Sequence, residues 1–169
     1  MVRNTEATAG LVSADMLTPR HFSSIGIASV FLLLSILPAR SLDSSAQRTL
    51  FGALNRERKE QGLSALKWND ALASAAQQHA EEMARHGLVS HALAGEPSLA
   101  ARATKAGVRF SWISENVVQS ASVEGAHEQF LKSPNHRANI LDTDMDSVGV
   151  GVAERHGQLF VVEDFAKIK

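Results

Sequence analysis

The spacing of apolar residues predicts a first helix shortly after residue 42. Leu50, Phe51 and Leu54 recur at helical intervals and mark the buried side of this helix. Gly62 can adopt the left-handed conformation that a helix C-cap often requires, so the helix is expected to end there. The charged residues before this glycine are assigned to the solvent-exposed side of the helix, namely Arg56, Arg58, Lys59 and Glu60.

A second helix is predicted between Asn69, a favoured N-cap residue, and Gly87, a favoured C-cap residue. The apolar stripe of this helix runs from Leu72 to Met83 and contains one histidine, His79. Because buried polar groups need hydrogen-bond partners, we expect His79 to be a packed, hydrogen-bonded core residue.

The centre of the chain is predicted to contain two short helices and one extended segment. Residues 98–106 and 123–132 have helical patterns, whereas residues 108–118 contain the β-branched and aromatic residues that are typical of a strand. Pro134 either terminates the later helix or starts a new turn, because proline lacks the N–H group that a helix interior uses.

The C-terminal region has the pattern of a β-hairpin. Valines over residues 148–152 alternate with Gly149 and Gly151, and a second apolar run covers residues 159–165. His156-Gly157 lies between the two runs, so an antiparallel hairpin is predicted, with another backbone close to the glycines. Helices followed by a hairpin predict an α+β fold, in which helices pack on a small antiparallel sheet.

An uncharged apolar run at residues 25–39 differs from the rest of the chain. It is shorter than the ~20 residues that a membrane-spanning helix needs. Ala39-Arg40-Ser41 at its end has the small-x-small pattern of a signal-peptide cleavage site. We interpret residues 1–41 as a signal peptide, with an uncleaved N-terminal anchor and a buried helix as the alternatives. The start is either Met1 or Met16.

The composition narrows the function of residues 42–169, which are expected to form one domain. The full chain has a net charge of −1 and thus no basic field for nucleic acid, and the absence of cysteine excludes disulfides and thiolate metal sites. The chain has no Gly-x-Ser-x-Gly, HExxH, P-loop or GxGxxG spacing, so the familiar hydrolase and nucleotide-binding classes lack support. With a signal peptide, the protein is expected to be secreted or extracytoplasmic, or membrane-anchored if the segment is retained.

Three residues that are far apart in the sequence are candidates for a polar cleft. His91 and His136 each follow a helix-ending signal, where loops expose side chains on a rigid scaffold. Glu115 is a lone carboxylate within the apolar and small residues of 110–118. Two imidazoles and a carboxylate suit either a divalent cation or an acid–base set, with Glu115 as the candidate base. A third interpretation is a structural network that joins parts of the core.

The residues around His136 have simpler structural interpretations. Ser133 is predicted to be an N-cap, and Asn139 to bond the backbone of a tight turn. Arg137 is predicted to bind carbonyl groups or a carboxylate such as Glu163 or Asp164. The remaining histidines beyond residue 42 are expected to be plain surface residues, namely His86, His127 and His156.

Residues from about 48 to 166 resemble the CAP domain, also called the SCP/PR-1-like domain, in its short bacterial form. The segments that carry the resemblance occur in the expected order: Asn55, Arg58, Gly62-Leu63, Leu66 and Trp68, then His79-Ala80 and Met83, Ser90-His91, Leu99 and Arg102, Glu115-Asn116-Val117, Ser133 to Leu141, Val148 to Val152, and Asp164-Phe165. The chain departs from the family pattern where Ser114 and Asn135 replace glycines and Phe130 replaces a tryptophan.

The resemblance implies an α-β-α sandwich with a central antiparallel sheet and a cavity lined by His91, Glu115 and His136. Asn116, Ser133 and Arg137 belong to the same motifs and are expected to lie beside that cavity. The resemblance also implies that the two histidines can coordinate zinc or another divalent cation. Members of the CAP family are mostly secreted, and their varied roles include binding sterols or lipids.

Ser133 occupies the position of a second glutamate in eukaryotic relatives, so the resemblance leaves this chain with one carboxylate at the site. This departure weakens any glutamate-assisted hydrolysis. We therefore expect a secreted module that binds a small ligand, such as a lipid or a cell-envelope component, or a divalent cation, rather than an enzyme. The alternative is a metal-dependent hydrolase of peptides or cell-envelope material, with Glu115 as base and Arg137 or backbone amides stabilising an oxyanion.

Overall fold

The computed structural model describes residues 42–169, so the predicted signal segment at residues 1–41 lies outside the described residues. The helices are α1 (Leu42–Glu60), α2 (Asp70–His86), α3 (Leu99–Lys105), α4 (Val123–Lys132) and α5 (Pro134–Leu141). The strands are β1 (Lys67–Trp68), β2 (Phe110–Ser120), β3 (Ser147–Arg155) and β4 (Gln158–Ile168). Within this range, none of the helices has the length and apolar character needed to span a bilayer.

The four strands form one sheet in the order β1-β3-β4-β2. The predicted hairpin is confirmed, because β3 and β4 pair antiparallel on either side of His156-Gly157. Strand β2 pairs antiparallel with β4 and lies at one edge of the sheet. The predicted antiparallel pairing holds for β2, β3 and β4. The two-residue strand β1 pairs parallel with β3, so the whole sheet is mixed. A parallel pair requires a long crossover, and the chain between β1 and β3 provides it.

Helix α2 packs on one face of the sheet, against two glycines of β3. A Cβ atom on Gly149 would overlap the backbone of Leu72 and Ala73, and one on Gly151 would overlap the backbone of Ala76. These overlaps confirm the predicted close backbone approach. The missing side chains let α2 lie directly on the strand.

The opposite face of the sheet is covered by α1, α4 and α5. Leu50 and Leu54 of α1 are fully buried there, as predicted for the apolar side of this helix, and so is Phe130 of α4. They pack with the residues of β3 and β4 that face away from α2, including Val150 and Phe165. Helices therefore cover both faces of the sheet, and the predicted sandwich is confirmed.

The ends of α2 follow the predicted local chemistry. The side chain of Asn69 accepts a hydrogen bond from the N–H of Leu72 at 3.0 Å, which satisfies one of the free donors at the helix start. Gly87 ends the helix in the left-handed conformation, with φ at 66°. The cap at Gly87 fixes where the loop that carries His91 begins.

The prediction that Arg58 faces solvent is wrong. Its side chain is buried, and its Nε donates to the carbonyl of Ser64 at 2.8 Å. Its Nη1 donates to the carbonyls of Ile140 and Asp142, both at 2.8 Å. Arg58 therefore satisfies carbonyl groups at the C-terminal end of α5, which a solvent-facing residue could not reach. Burial lowers the pKa of this guanidinium, and Asp142 opposes the change.

Candidate functional site

Two adjacent residues of the edge strand β2 point to opposite faces of the sheet, because side chains alternate along a strand. Glu115 lies opposite Asp164, and Asp164 lies opposite Gly149, so Glu115 shares the face that packs on α2. Asn116 lies opposite Glu163 and shares the face that packs on α1, α4 and α5. Residues from both helical layers can therefore meet at this edge of the sheet.

The carboxylate of Glu115 is the centre of a buried polar cluster. Its side chain is 2% exposed, and its Oε1 lies 2.9 Å from Nδ1 of His91. Its Oε2 pairs with the guanidinium of Arg102 and lies 3.7 Å from Nε2 of His79. An ionised carboxylate accepts hydrogen bonds and cannot donate them, so the contact with His91 places a proton on Nδ1 and the lone pair on Nε2.

His91 itself is largely exposed, with 61% of its side chain accessible. Hydrogen bonds from α2 and α3 hold the loop that carries His91. His79 Nε2 donates to the carbonyl of Ser90 at 2.8 Å, and Arg102 donates to the carbonyls of His91 and Pro97 at 3.3 and 3.1 Å. The ring of His91 is therefore accessible, while its backbone and its Nδ1 are fixed.

His79 is fully buried and hydrogen-bonded, which confirms the prediction for this residue. Its Nδ1 lies 2.8 Å from Oε1 of Glu96. Glu96 also accepts a weak hydrogen bond from the N–H of Leu93 at 3.4 Å. His79 and Glu96 therefore join α2 to the loop on either side of His91.

His136 comes from the other helical layer. It lies in the first turn of α5, and its ring meets the ring of Phe130 edge-to-face, with centroids 5.4 Å apart. Burial lowers the pKa of His136, and protonation of the nearby His91 would lower it further. Both effects favour the neutral imidazole, whose free nitrogen can act as an acceptor or a metal ligand.

Two asparagines connect α5 to β2 beside Glu115. Asn116 is fully buried and donates to the carbonyl of His136 at 3.1 Å. Asn139 donates to Oδ1 of Asn116 at 2.9 Å and to the carbonyl of Glu115 at 3.3 Å. Asn139 thus bonds a strand, and the prediction that it bonds the backbone of its own turn is wrong. These bonds set the position of His136 relative to the edge strand.

Ser133 and Arg137 have mainly structural contacts. Ser133 caps α5 by accepting from the N–H of His136 at 3.5 Å, as predicted. Arg137 pairs with the carboxylate of Glu57 of α1 at 3.1 Å, so it has a carboxylate partner as predicted, but the suggested partners Glu163 and Asp164 are wrong. The reason is geometric: both acids are completely buried in the central strand β4, whereas Arg137 lies on the side of α5 that faces α1.

The other histidines are placed as follows. His86 and His156 are exposed, as predicted. His127 is partly buried instead, and its Nδ1 has no hydrogen-bond partner among the described residues. Burial lowers the pKa of His127, which keeps this ring neutral.

Sequence reasoning missed the roles of Arg102 and Glu96 in the Glu115 cluster. Arg102 follows Leu99 by three residues, so helical spacing could have placed it on the buried side of α3. Glu96 lies in a loop without a periodic pattern, and its contact with His79 depends on the tertiary fold.

A cavity of about 480 Å³ borders Glu96 and Arg102, but His91, Glu115 and His136 are not among its lining residues.

Whether a metal ion fits at the edge of β2 depends on which side-chain atoms there are available to bind it. Among residues 42–169, no group of three or more His, Asp or Glu side chains is arranged to hold a metal ion. The carboxylate of Glu115 is occupied by Arg102 and by Nδ1 of His91, which leaves Nε2 of His91 and a ring nitrogen of His136 as possible metal-binding atoms. Two imidazoles fit a weakly bound divalent cation whose other ligands come from water or from a bound molecule.

Comparisons with known proteins agree with this architecture. A family model described as CAP, the cysteine-rich secretory protein family, matches residues 51–165. The uncharacterized membrane protein YlbC of Bacillus subtilis is 28% identical over 122 residues, which cover 69% of this chain and 34% of YlbC. The chain therefore spans about a third of the length of this relative.

Two solved structures show the same fold. An extracellular protein containing a SCP domain from Bacillus anthracis has a TM-score of 0.70 at 24% identity, over 75% of this chain and 41% of that protein. An outer surface protein from Borrelia burgdorferi has a TM-score of 0.69 at 22% identity, over 74% of this chain and 94% of that protein. At these identities the similarity shows the fold and leaves the ligand open.

Proposed function

The chain belongs to the CAP family of cysteine-rich secretory proteins, and from this premise we propose that it is an extracytoplasmic binding domain. Its site is the edge of β2, where His91 and His136 hold a small ligand or a weakly bound divalent cation such as zinc. The extracellular and outer-surface relatives with the same fold support this location. A lipid or a cell-envelope component is the proposed class of ligand, because such molecules are present where the domain would act.

One observation carries this proposal: His91 Nδ1 is bonded to a buried carboxylate, while the ring itself is accessible. A carboxylate on one ring nitrogen fixes the tautomer and the orientation of a histidine. Glu115 therefore prepares Nε2 of His91 to accept a hydrogen bond or to bind a metal ion.

His136 completes the site as a second neutral imidazole. Its pKa is lowered, so its lone pair stays available at neutral pH. The bonds from Asn116 and Asn139 keep the first turn of α5 beside β2. When bound, a zinc ion would supply a Lewis-acidic centre, and two protein ligands predict weaker binding than the three or four of typical zinc sites.

The geometry favours binding over hydrolysis. The proposed base of a hydrolase, Glu115, is almost fully buried, and both of its oxygens are engaged by His91 and Arg102. The proposed oxyanion group, Arg137, is paired with Glu57 of α1. With both oxygens engaged, the better-supported role of Glu115 is to orient His91.

The test is a calorimetric titration of the purified, tag-free protein with zinc. We expect weak binding that falls at least tenfold in His91→Ala and in His136→Ala and is lost in the double variant. His86→Ala is the matched control, because this exposed histidine lies outside the site and should leave the affinity unchanged. Unchanged zinc affinity in the double variant would exclude this site.

A further inference from the structure

Asp164 is a buried acid without a donor to stabilise its charge. It is 0% exposed, and neither of its carboxyl oxygens has a hydrogen-bond partner among the described residues. An ionised carboxylate in such a position would lose its hydration without compensation, which is energetically very costly. Asp164 must therefore either carry a proton or obtain a cation.

The charged groups around Asp164 do not include a free cation among residues 42–169. From β2 it faces Glu115, its direct partner in the sheet, and β3 contributes the uncharged Gly149. From α3 comes Arg102, which is already paired with Glu115. His79 of α2 is engaged by Glu96 and the carbonyl of Ser90.

These neighbours leave two carboxyl groups side by side with one guanidinium. Two carboxyl groups in contact are stable when one of them carries a proton and donates it to the other. Burial raises the pKa of Asp164 well above its ordinary value, and the charge of Glu115 raises it further, while Arg102 opposes this change. Glu115 has acceptor capacity left for that proton, because each carboxylate oxygen has two lone pairs.

We propose that Asp164 is the second carboxyl group of the site, a neutral acid that donates a hydrogen bond to Glu115 and thereby positions His91. The role in ligand binding rests on the proposed function, whereas the protonation of Asp164 does not. Ser133 lacks the carboxyl group that the family resemblance places at its position, and β4 instead supplies one beside Glu115, its direct partner in the sheet. Asp164 is a positioning residue, because it acts on the ligand through Glu115 and His91.

The proton is tested by carbon-13 NMR of the unmodified protein with labelled aspartate side chains. We expect one aspartate carboxyl resonance to stay at the position of a neutral acid at neutral pH and to disappear in Asp164→Asn. Glu163→Gln is the matched control, because it removes a buried acid from the same strand without contacting Glu115, and the resonance should persist. If every aspartate carboxyl resonance in the unmodified protein has the ionised position, the proposal is overturned.

The positioning role is tested by zinc affinity in two variants of this residue. Asp164→Asn keeps an N–H donor for Glu115, so its affinity should stay close to that of the unmodified protein. Asp164→Val removes the donor, and its affinity should fall about tenfold or more, as is usual for residues that orient a metal ligand. Equal affinity in the folded valine variant would refute the positioning role. Absence of zinc binding in the unmodified protein would refute this role and the proposed zinc site, but the NMR result would still decide the protonation of Asp164.

Discussion

Nδ1 of His91 lies 2.9 Å from Oε1 of Glu115, so a buried carboxylate orients an exposed histidine. One residue therefore orients the histidine ring, and another presents a nitrogen to a ligand. Glu115 is held inside the domain by Arg102, and His91 presents its other ring nitrogen to solvent. We therefore expect loss of Glu115 to reduce stability more than loss of the exposed ring of His91.

Glu115→Gln should lower the free energy of unfolding by about 3 kcal/mol, because it leaves the buried Arg102 guanidinium without its countercharge. Urea unfolding followed by circular dichroism measures this loss. Glu128→Gln is the matched control, since it breaks an exposed pair with Lys132 and should change stability by less than about 0.5 kcal/mol. Equal effects of the two variants would show that the Glu115 pair is not energetically important.

His136→Ala should cost about 1 kcal/mol, mainly through the lost contact with the ring of Phe130. If the site were only a structural network, loss of this residue would leave partners unsatisfied and cost at least ~2 kcal/mol. A thermal melt beside that of Glu115→Gln separates the two cases. The structural interpretation would be favoured if both variants were equally destabilised.

Gly151→Ala should destabilise the protein by about 3 kcal/mol or more, because the new Cβ would overlap the backbone of α2 at Ala76. Gly52→Ala provides the contrast. Gly52 lies within α1 with no atom near its Cβ position, so alanine there should stabilise the protein by about 0.5–1 kcal/mol. Chemical unfolding of both variants gives the comparison, and opposite signs are the expected result.

The buried carboxyl group of Glu163 should make the folded protein less stable as the pH becomes alkaline. Burial raises its pKa to about 8 from an ordinary value of 4.5, while a hydrogen bond from Asn116 opposes the change. Between these two values the folded protein keeps a proton that the unfolded chain has released, so stability falls as the pH rises. The stability contributed by this proton is fully present below the ordinary pKa of 4.5 and is lost as the pH rises through the folded-state pKa of about 8.

The measurement is urea unfolding of the unmodified protein and of Glu163→Gln at several pH values. The glutamine variant cannot lose this proton, so its stability should decrease less between about pH 5 and about pH 8. Parallel profiles for the two proteins would mean that Glu163 does not carry the proton.

Much of the fold could be predicted because it depends on local chemistry. Asn69 and Gly87 are residue types that cap helices, and the two glycines of β3 indicate a close backbone approach. The resemblance to the CAP family added the arrangement of helices on both faces of the sheet. It also selected His91, Glu115 and His136, which their positions in the sequence alone give no reason to group.

The errors arose where a charged side chain finds its partner through tertiary structure. Arg58 follows Leu54 by four residues and therefore lies on the same side of α1, but its charge suggested solvent exposure. Two of its carbonyl partners, in Ile140 and Asp142, are more than 80 positions away, which no local pattern reveals. Asp164 is buried because β4 is an inner strand with both faces covered, and this follows from the order of the strands.

The most direct test of the proposed site is a zinc titration of the tag-free, nitrogen-15-labelled protein, followed through the ring nitrogens of its histidines by NMR. We predict that the resonances of His91 and His136 change together as zinc is added, and that before zinc is added His91 has its proton on Nδ1. The resonances of the exposed His86 and His156 should not change. If zinc leaves His91 and His136 unaffected while the protein stays folded, these histidines do not form a zinc site.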